Sequence, residues 1–150
     1  MSDGLFNALD ISGTGMSAER FRMEVIANNI ANAQTTRDKD SPDGSAFRRK
    51  QVVFETELAS AMSGDRFSGL RHTVAGVRVA DLVADMSTLE KIKDPTHPHA
   101  DAEGYVSLPN VSLPNEMVDL VTATRVYEAN LKAIQSFKQM VEQTLQVLRS

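Results

Sequence analysis

The cluster of side chains best suited to chemistry is His97-Pro98-His99, with Asp94, Asp101 and Glu103 close by in sequence. Two imidazoles two residues apart in an extended segment, with carboxylates to complete a shell, form a donor set for a divalent metal. A hydrolase would draw on the same His97, His99 and Asp101. Against this, Pro95 and Pro98 account for the local shape without a metal, and no third histidine is within reach. His72 is solitary and sits beside Arg71, as a surface residue does. The expectation is therefore no metal, no cofactor and no enzyme activity.

The remaining chemical signals are weak. Cysteine is absent, which excludes disulfides, thiol catalysis and cysteine-ligated metals. No nucleophile elbow, phosphate-binding glycine loop or His-Glu-x-x-His occurs. Gly13-Thr14-Gly15 lacks both the strand before it and the third glycine of a dinucleotide fingerprint. A net charge of −4 gives no basic footprint for nucleic acid. The triplet Arg48-Arg49-Lys50 reads either as a solvated strand end or as a group that meets an acidic neighbour.

What must carry the function is instead the long apolar patterning at both ends. From Leu113 the series Leu113, Met117, Leu120, Thr124, Tyr127, Leu131, Ile134, Lys138, Val141, Leu145 and Leu148 follows a strict 4-3 spacing, and nine of the eleven are apolar or aromatic. That repeat is the seam of a coiled coil. Pro114 suits a first helical turn, where its missing N–H is not needed. At about 1.5 Å per residue the helix is roughly 50 Å long. Val118, Val121, Val126, Ala133, Phe137, Met140 and Val147 make a second stripe off that seam. Apolar residues on two faces imply neighbours on two sides, one of them another polypeptide.

Residues 5 to 33 hold a matching run of Leu5, Leu9, Ser12, Met16, Glu19, Met23, Ile26, Ile30 and Ala33. Gly13 and Gly15 weaken its first half by about 1 kcal/mol each relative to Ala. One long helix is expected, with a soft point at 12–15 and Ser17 as an N-cap or local restart. The cluster Asn28, Asn29, Asn32 near its end is unusual, because Asn is a poor helix former. It marks either a frayed end or amides that cross-link helices in a crowded assembly.

Between the helices lies a polar loop at 34–46, a strand-like run at 47–55, an ambiguous Leu58–Met62 and a loop at 63–71. A strand follows within 74–83, another at 89–93, a turn-rich connector at 94–104 and a short strand at 105–108. The fold class is mainly α with a small β-rich insert, the terminal helices pairing as a coiled coil, parallel or antiparallel. The expected divisions are 1–36, 37–108 and 109–150. No segment reaches the roughly 18 apolar residues of a membrane span, and no cleavable secretory leader is expected. A helical adaptor or chaperone that forms a discrete coiled-coil dimer in the cytoplasm is the alternative class.

Particular motifs then point to a family. Ala27-Asn-Asn-Ile-Ala-Asn-Ala-Gln-Thr-Thr36 resembles the signature of bacterial flagellar axial proteins, which include rod, hook and hook-associated proteins. Arg48-Arg-Lys-Gln-Val-Val-Phe54, Asp94-Pro-Thr-His-Pro98, Ala102-Glu-Gly-Tyr-Val106, Pro109-Asn-Val, Glu116-Met-Val-Asp119 and Tyr127-Glu-Ala-Asn130 extend the resemblance over essentially the whole chain. Thr36-Arg37, where distal-rod and hook members carry Gly and an aromatic residue, favours the proximal rod.

The resemblance implies a subunit exported unfolded through the flagellar type III apparatus without a cleaved signal. It then polymerises with copies of itself and other rod proteins in the periplasmic basal body. Terminal helices form the inner layer of a helical tube, and the central β-hairpin and loop region faces outward. The expected assembly interface is Leu5, Leu9, Met16, Met23, Ile26, Asn28, Asn29, Ile30, Asn32, Met117, Leu120, Val121, Tyr127, Asn130, Leu131, Ile134, Phe137, Val141, Leu145 and Leu148. Leu131→Asp or Ile134→Asp is expected to block assembly. Both terminal segments are expected to gain helix only when copies meet.

Overall fold

The computed structural model describes residues 2–38, 44–58 and 74–149, with side chains over 8–38, 44–56 and 76–147. The Leu58–Met62 segment, apart from the backbone of Leu58, and the loop at 63–71 lie outside the described residues. In chain order the elements are α1 (Ser2–Ala31), β1 (Lys50–Leu58), β2 (Val74–Ala84), β3 (Lys91–Lys93), β4 (Tyr105–Ser107) and α2 (Leu113–Arg149). β1 pairs with β2, and β3 pairs with β4 in a separate two-stranded sheet. The mainly helical class with a small β insert is thus observed.

The expected soft point in α1 does not occur. The helix runs unbroken through Gly13 and Gly15. Ser17 is no N-cap: its Oγ donates back to the Gly13 carbonyl at 3.2 Å, a bond within the helix. Nor does the far end fray. Asn32 N donates to the carbonyls of both Asn28 and Asn29, Asn32 Nδ2 donates to Asn28 O, and Ala33 N donates to Ile30 O, so the last turn tightens and closes.

The first strand starts at Lys50, three residues later than the alternation from Phe47 suggests. Phe47 N donates to Thr35 O, so this part of the run borders the loop rather than the sheet. Phe47 is almost fully buried there, with Lys50 Nζ 5.6 Å from its ring centroid. β3 and β4 are antiparallel, with Ile92 opposite Val106. Leu108 N donates to Glu90 O just beyond the ladder.

The chain divides into two compact units. One comprises Met1–Phe21, Val53–Asp81 and Ala123–Ser150; the other comprises Arg22–Val52 and Leu82–Thr122. In the first unit Ala18 and Ala123 are buried. Gly15 lies against α2: a Cβ placed on it would meet Asn130 Nδ2 at 3.1 Å. Thr14 Oγ1 donates to Ile11 O at 2.9 Å and accepts from Val77 N at 3.3 Å. That bond brings β2 so near that a Cβ on Gly76 would collide with Thr14 Oγ1. Gly76 also has φ of 113°, a conformation other residues rarely adopt.

In the second unit Val25, Ile26, Ala46, Phe47 and Val106 are buried. Each such Val, Ile or Phe stabilises the fold by about 1.5–3 kcal/mol. Here Asn29 and Glu116 are the most completely buried polar side chains, at 1% and 0% exposure. Buried amides and carboxylates need partners, and both have them.

Candidate assembly site

Glu116 sits in the first turn of α2, where the helix favours negative charge. Its Oε1 accepts from Arg49 Nε, and its Oε2 accepts from Asn29 Nδ2 at 3.0 Å. Arg49 Nη2 reaches Asp119 at 3.1 Å, one turn further along α2. Asn29 is doubly engaged on the other side: Lys50 N donates to its Oδ1 at 2.9 Å, and its Nδ2 donates to Lys50 O at 2.9 Å. Asn110 Oδ1 accepts from Arg49 N, and Asn110 Nδ2 donates to Asp85 O and Ser87 Oγ. Arg48 donates to the carbonyls of Asp85 and Ser87.

This latch ties the end of α1, the start of β1, the turn after β2 and the start of α2. Arg49 of the basic triplet meets acidic neighbours, and Asn29 of the amide cluster joins the end of α1 to the start of α2 within one subunit. The triplet and the amide cluster drew notice one by one, but nothing local pairs them with Glu116, since Asn29 and Glu116 are 87 residues apart and Arg49 and Glu116 are 67 apart. The shared membership of all three in the family-like motifs is the signal.

The His97–His99 segment is a turn. His97 Nδ1 accepts from His99 N at 3.1 Å, and His99 Nδ1 is 2.8 Å from Thr36 Oγ1. Asp94 accepts from Thr96, while Asp101 accepts from the backbone of Glu103 and Tyr105. Those bonds hold both carboxyls below their ordinary value: the Thr96 hydroxyl leads at Asp94, and the Tyr105 N–H leads at Asp101. Asp85 is lowered chiefly by the Ser87 N–H. Among the described residues, no three His, Asp or Glu side chains are grouped to hold a metal ion.

The expected interface residues separate by environment. Ile26 and Asn29 are buried inside the subunit. Leu9, Met16, Met23, Ile30, Asn32, Leu120, Tyr127, Asn130, Ile134 and Phe137 are half-buried. Asn28, Met117, Val121, Leu131, Val141 and Leu145 are exposed. The side chains of Leu5 and Leu148 lie outside the described residues. Seventeen large apolar side chains are exposed among the described residues, and ten are on α2. Among the described residues, that helix therefore carries most of the exposed large apolar side chains. Val118, Met140 and Val147, on the second stripe, are exposed as well. Leu82, Val83 and Met86 are exposed apolar residues that no periodicity marked.

Among the described residues no helix is long and apolar enough to cross a membrane. Residues 9–37 match the family described as flagella basal body rod protein, and residues 102–147 match the flagellar basal body rod FlgEFG protein C-terminal region. The chain belongs to the flagellar basal-body rod protein family. Within it the similarity is to FlgC. The flagellar basal-body rod protein FlgC of Borreliella burgdorferi is 40% identical, covering 97% of this chain and 99% of its own length. That of Bacillus subtilis is 39% identical over 95% and 97%, and that of Salmonella typhimurium 36% over 94% and 96%. The chain is a structural subunit of the flagellar proximal rod, not an enzyme.

Proposed function

We propose that this subunit assembles with copies of itself and with other rod proteins through the exposed faces of its terminal helices. The product is a periplasmic helical tube that transmits torque and lines the export channel. The observation that carries this reading is the exposed apolar surface of α2, including Met117, Val121 and Leu145. Exposed apolar patches of that extent mark protein interfaces. The latch residues Asn29, Arg49 and Glu116 fix the start of α2, so that Met117 and Val121 are presented in one geometry.

On this reading α1 and α2 pair as a coiled coil, which the approach of Gly15 to Asn130 supports. Residues 37–108 face outward. The subunit reaches its site unfolded, through the flagellar type III apparatus and without a cleaved signal. The discrete-dimer adaptor gives no reason for apolar residues on more than one face of α2. The test is complementation of a strain lacking the corresponding rod gene. The wild-type chain restores swimming, and Leu145→Asp leaves cells immotile with the variant absent from purified basal bodies. Normal swimming with Leu145→Asp would overturn the interface assignment.

A further inference from the structure

α1 carries two mid-helix glycines, and among the described residues only Gly15 has a neighbour against it. Gly15 packs against Asn130 of the same molecule. Around Gly13, by contrast, a Cβ would meet nothing within 4 Å. A glycine inside a helix weakens it, and close approach of a neighbour to the backbone is what such a residue permits in return. Gly13 lines an open groove of about 640 Å³, bounded by Leu9, Phe21, Val77 and Val79 and rimmed by Asp10 and Arg78. The chain's own α2 lies along the Ile11–Gly15 side of α1, and among the described residues none fills this groove.

We propose that the groove receives the α2 of a second copy through its Ala133–Met140–Val147 stripe. This rests on the rod-subunit reading that copies meet. Three features favour that occupant. The stripe recurs every seven residues and is exposed throughout, as a helix seated in a groove requires. The lengths match: Leu9 to Phe21 spans about 18 Å of helix and Ala133 to Val147 about 21 Å. The polar borders are complementary as well. Lys132, beside Ala133, supplies the cation for Asp10 on the rim, and Gln143, one turn beyond Met140, supplies an amide oxygen for Arg78. Arg78 Nη2 bonds Glu55 in an exposed pair, and the other N–H donors of the guanidinium can take such an acceptor. Groove and stripe are different surfaces, so the contact is head-to-tail and propagates instead of closing on a pair.

The absence of cysteine makes the test direct. Gly13→Cys and Met140→Cys place single thiols at the middles of groove and stripe. Cells lacking their own copy are made to produce both single variants together, and basal bodies are oxidised. A cross-linked heterodimer is expected, with each single variant alone remaining monomeric. The double variant is expected to give a ladder of multimers. Asp10→Lys in the double variant should lower the cross-link yield several-fold, and Lys132→Asp added to it should restore the yield. Either of two results overturns the proposal: no cross-link in cells that still swim, or Gly13→Cys cross-linking to itself. Failure of the wild-type chain to restore swimming would instead strike the rod reading, so the two failures are distinguishable. Circular dichroism of each variant, matching wild type, shows that the fold is intact.

Discussion

The Arg49 guanidinium donates to Glu116, a carboxylate with no solvent exposure, across 67 residues of sequence. Removing Arg49 leaves Glu116 without this counter-charge, whereas Arg49 without Glu116 keeps Asp119, and an unpaired buried carboxylate costs far more than a surface pair contributes. Arg49 keeps 23% of its side chain exposed, which puts the expected loss at the low end of the range. Arg49→Met should cost about 3 kcal/mol in urea unfolding. Arg49→Met with Glu116→Leu should cost less than Arg49→Met alone, because the double variant removes both charges. Additive losses would show that the two residues act separately.

Gly76 and Gly13 make opposite predictions. At Gly76 a Cβ collides with Thr14 and the φ of 113° is strained, so Gly76→Ala should cost at least about 2 kcal/mol. At Gly13 the Cβ enters open space. Gly13→Ala should leave the isolated subunit as stable or up to about 1 kcal/mol more so. Thermal melts of the two variants check both signs.

Acid should loosen the loops around Asp85, Asp94 and Asp101. Each carboxyl is held below its ordinary value of 3.8 by bonds made only in the folded loop. Their contribution is therefore fully present above that value and is lost as pH falls through the lowered one. Stability measured down to the acid end should fall below the ordinary carboxylate range. Asp101→Asn should flatten part of that fall and leave the neutral plateau with little pH dependence.

Charges on the exposed face of α2 should separate folding from assembly. Val121→Asp and Leu145→Asp sit on exposed positions, so the monomer should keep its stability to within about 0.5 kcal/mol. Cells carrying them should lose motility. Leu131→Asp and Ile134→Asp should also block assembly, but half-buried Ile134 should cost monomer stability too.

The helices should be fully formed only in company. Circular dichroism at low micromolar concentration should give less helix than α1 and α2 contain, rising as subunits associate. Full helicity in dilute monomer would overturn this.

Both helices and the two longer strands were legible from spacing, because heptads and alternation are local properties of the chain. The soft point expected in α1 is absent because the glycine cost is local, whereas the contact between Gly15 and Asn130 is not. His97 and His99 carried the strongest chemical signature, yet they bond to one another's turn and to Thr36. The latch of Asn29, Arg49 and Glu116 was hidden for the opposite reason. Its partners are far apart in sequence and only the fold brings them together. The exposed stripe of α2 lay between these cases: its apolar pattern was visible, but which face stays wet depends on where α1 packs.

The bond between Thr36 and His99 joins the loop after α1 to the 94–104 turn across 63 residues of sequence. A hydroxyl both gives and takes such a bond, so Thr36 suits either tautomer of the His99 ring. His97 Nδ1 takes the His99 N–H, so its ring proton belongs on Nε2. One end of the turn leaves the ring's tautomer open, and the other fixes it.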